Sequence, residues 1–124
     1  MRWYVDAMNV IGTRPDGWWR DRDAAMHRLV DAIERWAARE GEDVVVVFER
    51  RPSPPIRSTV VEVAHAPRPG RDAADHEIVR RLRAEPTPAQ VRVITSDRAL
   101  AEQASLIGAV VQGAETFRSL IEGG

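Results

Sequence analysis

The chain has 124 residues, is 44% hydrophobic and carries a formal net charge of -1 at pH 7. That size and apolar content fit one domain, residues 1–124, around a core of its own, and the small net charge excludes polyanion binding through overall charge alone. Cysteine is absent, which rules out disulfides, thiolate metal sites and cysteine nucleophiles.

All 18 basic residues are arginine. Arginine suits bidentate phosphate contacts, but its spread along the whole chain reads as a compositional bias. With no basic leader before a long apolar segment, and no stretch long enough to cross a bilayer, a soluble cytoplasmic protein is expected.

The first expected strand runs from about Trp3 to Met8 and opens into a Gly12–Trp19 loop carrying Pro15 and Gly17. A helix follows over Asp21–Arg39, with Met26, Leu29, Val30 and Ile33 on one stripe, closed by Gly41. Asp43–Phe48 is continuously apolar after its first residue and β-branched, as a central parallel strand would be. Three prolines make Arg50–Arg57 a loop, and a more peripheral strand is expected over Thr59–Ala64. The second long helix spans Asp72–Ala84, with Ile78, Val79 and Leu82 as its apolar face. A strand over Val91–Thr95, a helix from Ser96-Asp97 to Leu106, a short strand Ala109–Val111 and a helix over Glu115–Ile121 complete the chain. Such alternation predicts an α/β domain with a mainly parallel sheet covered on both sides, a three-layer α/β/α arrangement.

Asp6 is the one carboxylate in the otherwise apolar run Trp3–Gly12. A charge buried in a strand is costly unless something offsets it, and a metal cation is the strongest candidate. In an open parallel sheet, ligands bind beyond the carboxyl ends of the strands, where strand order reverses. Asp6 ends the first strand there, and Asp97 follows the fourth with only Ser96 between. Asp72 and Asp75 open the helix that leads into that fourth strand. Asp75 precedes Ile78, Val79 and Leu82 by three, four and seven residues, so it shares their buried face. Each helix-start acid also has a structural reading, as an N-cap or a first-turn charge. Asn9 would orient a water or a phosphate, or close the strand in an Asx-turn. Clustered carboxylates with oxygen ligands select Mg²⁺ or Mn²⁺, ions suited to phosphodiester hydrolysis.

Four stretches carry a resemblance: Val5-Asp6-Ala7-Met8-Asn9-Val10-Ile11, Val45-Val46-Val47-Phe48-Glu49, Ala73-Ala74-Asp75-His76-Glu77-Ile78 and Thr95-Ser96-Asp97-Arg98. In this order they resemble the NYN nucleases, specifically the YacP-like branch of the PIN-like superfamily, over nearly the entire chain. The resemblance implies a PIN-like fold with strand order 3-2-1-4-5 and metal-dependent endoribonuclease activity. It implies Asp6, Asp75 and Asp97 as metal-binding acids, Asn9 as a site residue and Asp72 as an auxiliary ligand. Glu49 stands where that family usually has aspartate, and Ala7-Met8 where Gly-Tyr is common. Glu49 would reach a metal through water.

Single-stranded or loop RNA is the expected partner, with Arg71 and Arg98 flanking the acids and Trp18-Trp19 offering rings to unpaired bases. The same tryptophans would otherwise pack as a lid over the first helix. Arg14, Arg20, Arg22, Arg50 and Arg51 lie on loops leaving the same strand ends. His27, His65 and His76 share no zinc-site spacing. Two rival readings are a catalytically weak RNA-binding or ribosome-associated module, with Glu49 marking lost activity, and a small-molecule phosphohydrolase using the same acids.

Overall fold

The apolar run that begins at Trp3 is two elements rather than one. In the computed structural model, which describes residues 1–123, strand β1 covers Arg2–Asp6 and helix α1 covers Ala7–Ile11 with no loop between them. The strand expected to reach Met8 therefore stops at Asp6. Periodicity cannot separate a short buried strand from a short buried helix, and Ala7, Val10 and Ile11 are buried here in helical form.

Helix α2, Arg22–Glu40, starts where the Asp21 carboxylate accepts the Ala24 amide at 3.1 Å and ends at Gly41, whose φ of 68° suits glycine. Strand β2 is Asp43–Phe48, as its β-branched run implies. Strand β3 is Glu62–His65, later than the expected Thr59–Ala64. The Ser58 hydroxyl accepts the amides of Val60 and Val61 at 3.1 Å each, which draws those residues into a turn and delays the strand. Helix α3 (Ala73–Arg83), strand β4 (Val91–Ile94), helix α4 (Arg98–Ile107), strand β5 (Val110–Gln112) and helix α5 (Ala114–Glu122) follow.

The five strands pair in the order β3-β2-β1-β4-β5, and all four pairs are parallel. This is the expected order. Val5 lies level with Val46 on one side and Ile94 on the other, so β1 is the central strand. Strand alternation divides the interior in two. Trp3, Val5, Val44, Val46 and Phe48 pack under α1, α2 and α5, whereas Tyr4, Val45, Val47, Val91 and Val93 pack under α3 and α4. The result is a three-layer α/β/α architecture with a PIN-like strand order.

Aromatic contacts hold the first layer to the sheet. Phe117 of α5 is fully buried, with its ring 5.9 Å from Trp3 and 5.5 Å from Trp36, and the two tryptophans meet edge to face at 5.0 Å. Replacing Phe117 with alanine removes this wedge, so Phe117→Ala is expected to destabilise the fold by about 3–5 kcal/mol. Urea unfolding of the variant beside the parent measures it, and a loss below about 1 kcal/mol would contradict the packing.

Candidate active site

Strand alternation aims two polar side chains at one place. Asp6 continues the phase of Tyr4 and Thr95 that of Val93, so both leave neighbouring strands on the side covered by α3 and α4, while Glu49, in the bend just past β2, lies 3.9 Å from Arg22 of α2. The spot is also where connections diverge: the chain leaves β1 toward β2, while α3 carries it back across to β4 on the far side. A crevice at such a switch point is the usual ligand position in a parallel sheet. Helices α3 and α4 begin at the same edge, which brings in Asp75 from the first turn of α3 and Asp97 from the N-cap of α4.

Hydrogen bonds lace the rim together. The Thr95 hydroxyl donates to Asp6 Oδ2 at 2.9 Å and accepts the Asp97 amide at 3.1 Å. Asn9 Oδ1, one helical turn beyond Asp6, accepts the Ser96 amide at 2.8 Å. Ser96 Oγ in turn accepts the Ala114 amide at 2.9 Å, tying in the start of α5. Asn9 thus anchors the β4–α4 loop, and it does so from a helix rather than from an Asx-turn.

The four aspartates divide by what their side chains do. Asp97 Oδ1 accepts the Leu100 amide at 2.9 Å and caps α4. Asp6 and Asp72 occupy N-cap positions, yet neither side chain makes a capping bond. Burial pushes the Asp6 carboxyl up to about 7 against the opposing Thr95 bond, and the charges of Asp75, Asp97 and Glu49 push the same way. Burial, Asp97 and Asp72 push Asp75 up to about 6, with His76 opposing. Mutual repulsion of this kind places the acids in one field.

The ion pairs among the described residues leave Asp6, Asp72, Asp75 and Asp97 without an arginine. Oxygen donors that repel one another and lack a countercharge are the donor set a hard divalent cation fits. As posed, no three acidic or histidine groups among the described residues stand close enough to hold an ion. An ion would have to draw them inward.

The surrounding cations sort themselves by pairing. Arg14 bonds Glu115 and Glu122, Arg50 bonds Asp23 at 3.0 Å, and Arg22 lies 3.9 Å from Glu49. Arg71 and Arg98 are exposed at the starts of α3 and α4. Trp18 is half-buried against the core beneath the Arg22 guanidinium, 5.4 Å from its ring centre, while its neighbour Trp19 is 49% exposed. Of the two rings, Trp19 presents the larger open surface. His27 and His65 bond backbone carbonyls of Pro54 and Ala66. The sequence offers Ser96 or Asp97 as the cap of α4, a role Asp97 takes, and gives Thr95 none. Thr95 was legible in principle, since it is a hydroxyl at the end of the strand beside Asp6.

A parallel sheet in this order, covered by helices on both faces, defines a PIN-like α/β/α domain. A family model for the YacP-like NYN domain matches residues 3–123, and the chain belongs to that family. Two crystal structures share the fold, both of Rae1 (YacP) from Bacillus subtilis. The one of a mutant form has a TM-score of 0.79 and 24% identity, covering 99% of this chain and 75% of that one. The other has a TM-score of 0.78 and 22% identity, covering 99% and 74%. At these identities the likeness establishes the fold alone. No curated protein sequence matches the chain.

The raised carboxyls make stability depend on pH. In the unfolded chain Asp6 ionises near its ordinary value of about 4, whereas in the fold it keeps its proton until about pH 7. The folded state therefore binds more protons across that window, and stability falls as pH rises through it, levelling off above. Asp75 acts in the same direction up to about pH 6. Asp6→Asn is expected to flatten most of this decline and, at mildly alkaline pH without metal, to exceed the parent by a few kcal/mol, on the order of the shift itself. Urea melts across the pH series measure it, and an unchanged slope would refute the account.

Proposed function

We propose that this chain is a divalent-metal-dependent endoribonuclease acting on single-stranded or loop regions of RNA. The observation that carries the reading is Asp6, a carboxylate only 5% exposed, with a neutral hydroxyl as its partner and other acids close by. Family membership supports a nuclease-type, RNA-related role. Asp6, Asp75 and Asp97 would hold Mg²⁺ or Mn²⁺, with Asp72 as an auxiliary and Glu49 assisting through water. The bound ion supplies polarisation of a phosphoryl oxygen and offsets charge on the departing oxygen.

The chain's own residues do the positioning. Thr95 fixes the rotamer of Asp6, and Asn9 holds the β4–α4 loop so that Asp97 stays at the rim. Arg71 and Arg98 meet the phosphates on either side without reading sequence. Trp18 lies beneath the Arg22 guanidinium that faces Glu49, and Trp19 beside it is open to stack an unpaired base. In-line attack of water on the scissile phosphorus would leave a 3′-hydroxyl and a 5′-phosphate.

One observation favours a second reading, an RNA-binding module that does not cut. Asp97 Oδ1 is already engaged in capping α4, and Glu49 lies toward Arg22, which leaves fewer free donors.

Incubating a mixed RNA pool with and without Mn²⁺, beside Asp6→Asn, separates the two. The nuclease reading expects Mn²⁺-dependent cuts that fall at least about a hundredfold in the variant, the loss of a few kcal/mol of transition-state stabilisation. Binding without cutting favours the module. Thermal melts give an independent check: Mn²⁺ is expected to raise the melting temperature of the parent and to leave that of Asp6→Asn unmoved. Equal shifts in both would place the ion elsewhere.

A further inference from the structure

Beside the acids lies a groove of the opposite charge. The β3–α3 connection and one flank of α3 enclose about 330 Å³, lined among others by Arg68, Arg71, His76, Glu77 and Arg80. The carboxylate in this wall is neutralised. Glu77 Oε1 accepts from Arg80 Nε at 2.9 Å, and Oε2 accepts from Arg80 Nη2 at 2.6 Å and Arg81 Nε at 2.7 Å. Arg68 and Arg71, by contrast, make no ion pair among the described residues. Both are exposed, and the groove they line keeps a net positive charge.

The backbone between groove and acids is unusual. Gly70 has φ 156° and Asp72 has φ 61°, the latter being the single non-glycine residue at positive φ among those described. An aspartate in the left-handed region costs on the order of 1 kcal/mol, and such costs gather where the chain must hold a functional geometry. The Ala73 amide closes this turn on the Gly70 carbonyl at 3.2 Å. Its effect is to sort charge. Arg71 lines the groove, whereas Asp72, the next residue, is the N-cap of α3, whose first turn carries Asp75. Arg14, Arg50 and Arg118 are each paired with a carboxylate, whereas Arg71 pairs with neither the adjacent Asp72 nor any other acid among the described residues.

Separated charges of opposite sign suit an occupant that brings both counter-charges, an anion for the groove and a cation for the acids. A polynucleotide chain passing a metal site does so. We infer that the groove of Arg68, Arg71 and Arg80 holds a backbone phosphate of the bound RNA, next along the strand from the bond positioned at Asp6, an inference that rests on the RNA reading above. Arg68 and Arg71 supply the direct contacts. Arg80, two-thirds exposed with Nη1 free of Glu77, adds long-range charge. Contacts of this type set register on the strand and carry no sequence preference.

The test is a salt series on a chain that does not cut. Binding of a fluorescein-labelled single-stranded RNA to Asp6→Asn, without divalent ions, is followed by anisotropy, and then with Arg68→Ala and Arg71→Ala added together. The expected result is about tenfold weaker binding on RNAs of any sequence, with a salt dependence shallower by about 0.7 for each phosphate no longer neutralised. Restoring charge with Arg68→Lys and Arg71→Lys is expected to return most of the slope, and Arg35→Ala, an exposed arginine on α2, to leave it unchanged. An unaltered slope in the double alanine variant overturns the inference, as does failure of RNA to bind at low salt. Tighter binding of polyglutamate than of RNA would also overturn it, in favour of an acidic protein partner. Because no cleavage is read, a changed slope in a protein that never cuts supports the groove and sinks only the nuclease. Cutting with an unchanged slope does the reverse.

Discussion

Burial of the Asp6 carboxylate at the end of the central strand, with a threonine hydroxyl in place of a countercharge, is the constraint around which this molecule is arranged. An apolar residue there would pack against Val47 and Thr95 at less cost, because an unpaired carboxylate in a protein interior either shifts its pKa or needs a cation. The fold permits the position because β1 lies between β2 and β4, so Asp6 has Val47 of β2 on one flank and Thr95, just past the end of β4, on the other. Helices α3 and α4 then bring Asp75 and Asp97 to the one side left open. Asp75, Asp97 and Glu49 make Asp6 harder to ionise, and Asp97 and Asp72 do the same to Asp75.

The second-layer bonds follow from the same arrangement. Thr95, Asn9 and Ser96 connect β1, α1, β4 and α5 through side chains that bond backbone amides or Asp6 itself. A rim built this way holds its acids in place against mutual repulsion, which a set of solvated loops would not do. The ion pairs on the rest of the surface are mostly exposed and individually worth little. Along the strip from Arg68 to Asp75, cations unpaired among the described residues precede the left-handed Asp72 and the acids of the rim follow from it.

Much of the site was readable from residue order. Asp6 stood out because a charge inside a β-branched and aromatic run has few structural uses, and Asp75 because helical spacing put it on the buried face of α3. The limits of α1 were not readable: Ala7-Met8-Asn9-Val10-Ile11 is too short and too apolar for its period to declare itself. The delayed start of β3 was hidden in one hydroxyl, Ser58, that captures two amides. Thr95 does not declare itself in the sequence, since a threonine at a strand end is ordinary until the strand beside it is known. The Trp18-Trp19 pair could not be divided into a core-facing and an open ring, because a five-residue helix and a loop separate them from the strand and they open a single turn of 3₁₀ helix, Trp18–Arg20, of their own.

The amino-acid sequence by itself determined the alternation of strands and helices, the buried phase of each, and which acids stand at element ends. These are local matters, governed by side-chain period and backbone preference within a few residues. Only the tertiary structure decided that Asp97 caps its helix while Asp6 and Asp72 do not, and that Arg14 and Arg50 are committed to partners while Arg68 and Arg71 stay open. Pairing is a competition over distance, and distances between residues far apart in the chain exist only once the sheet has set its order.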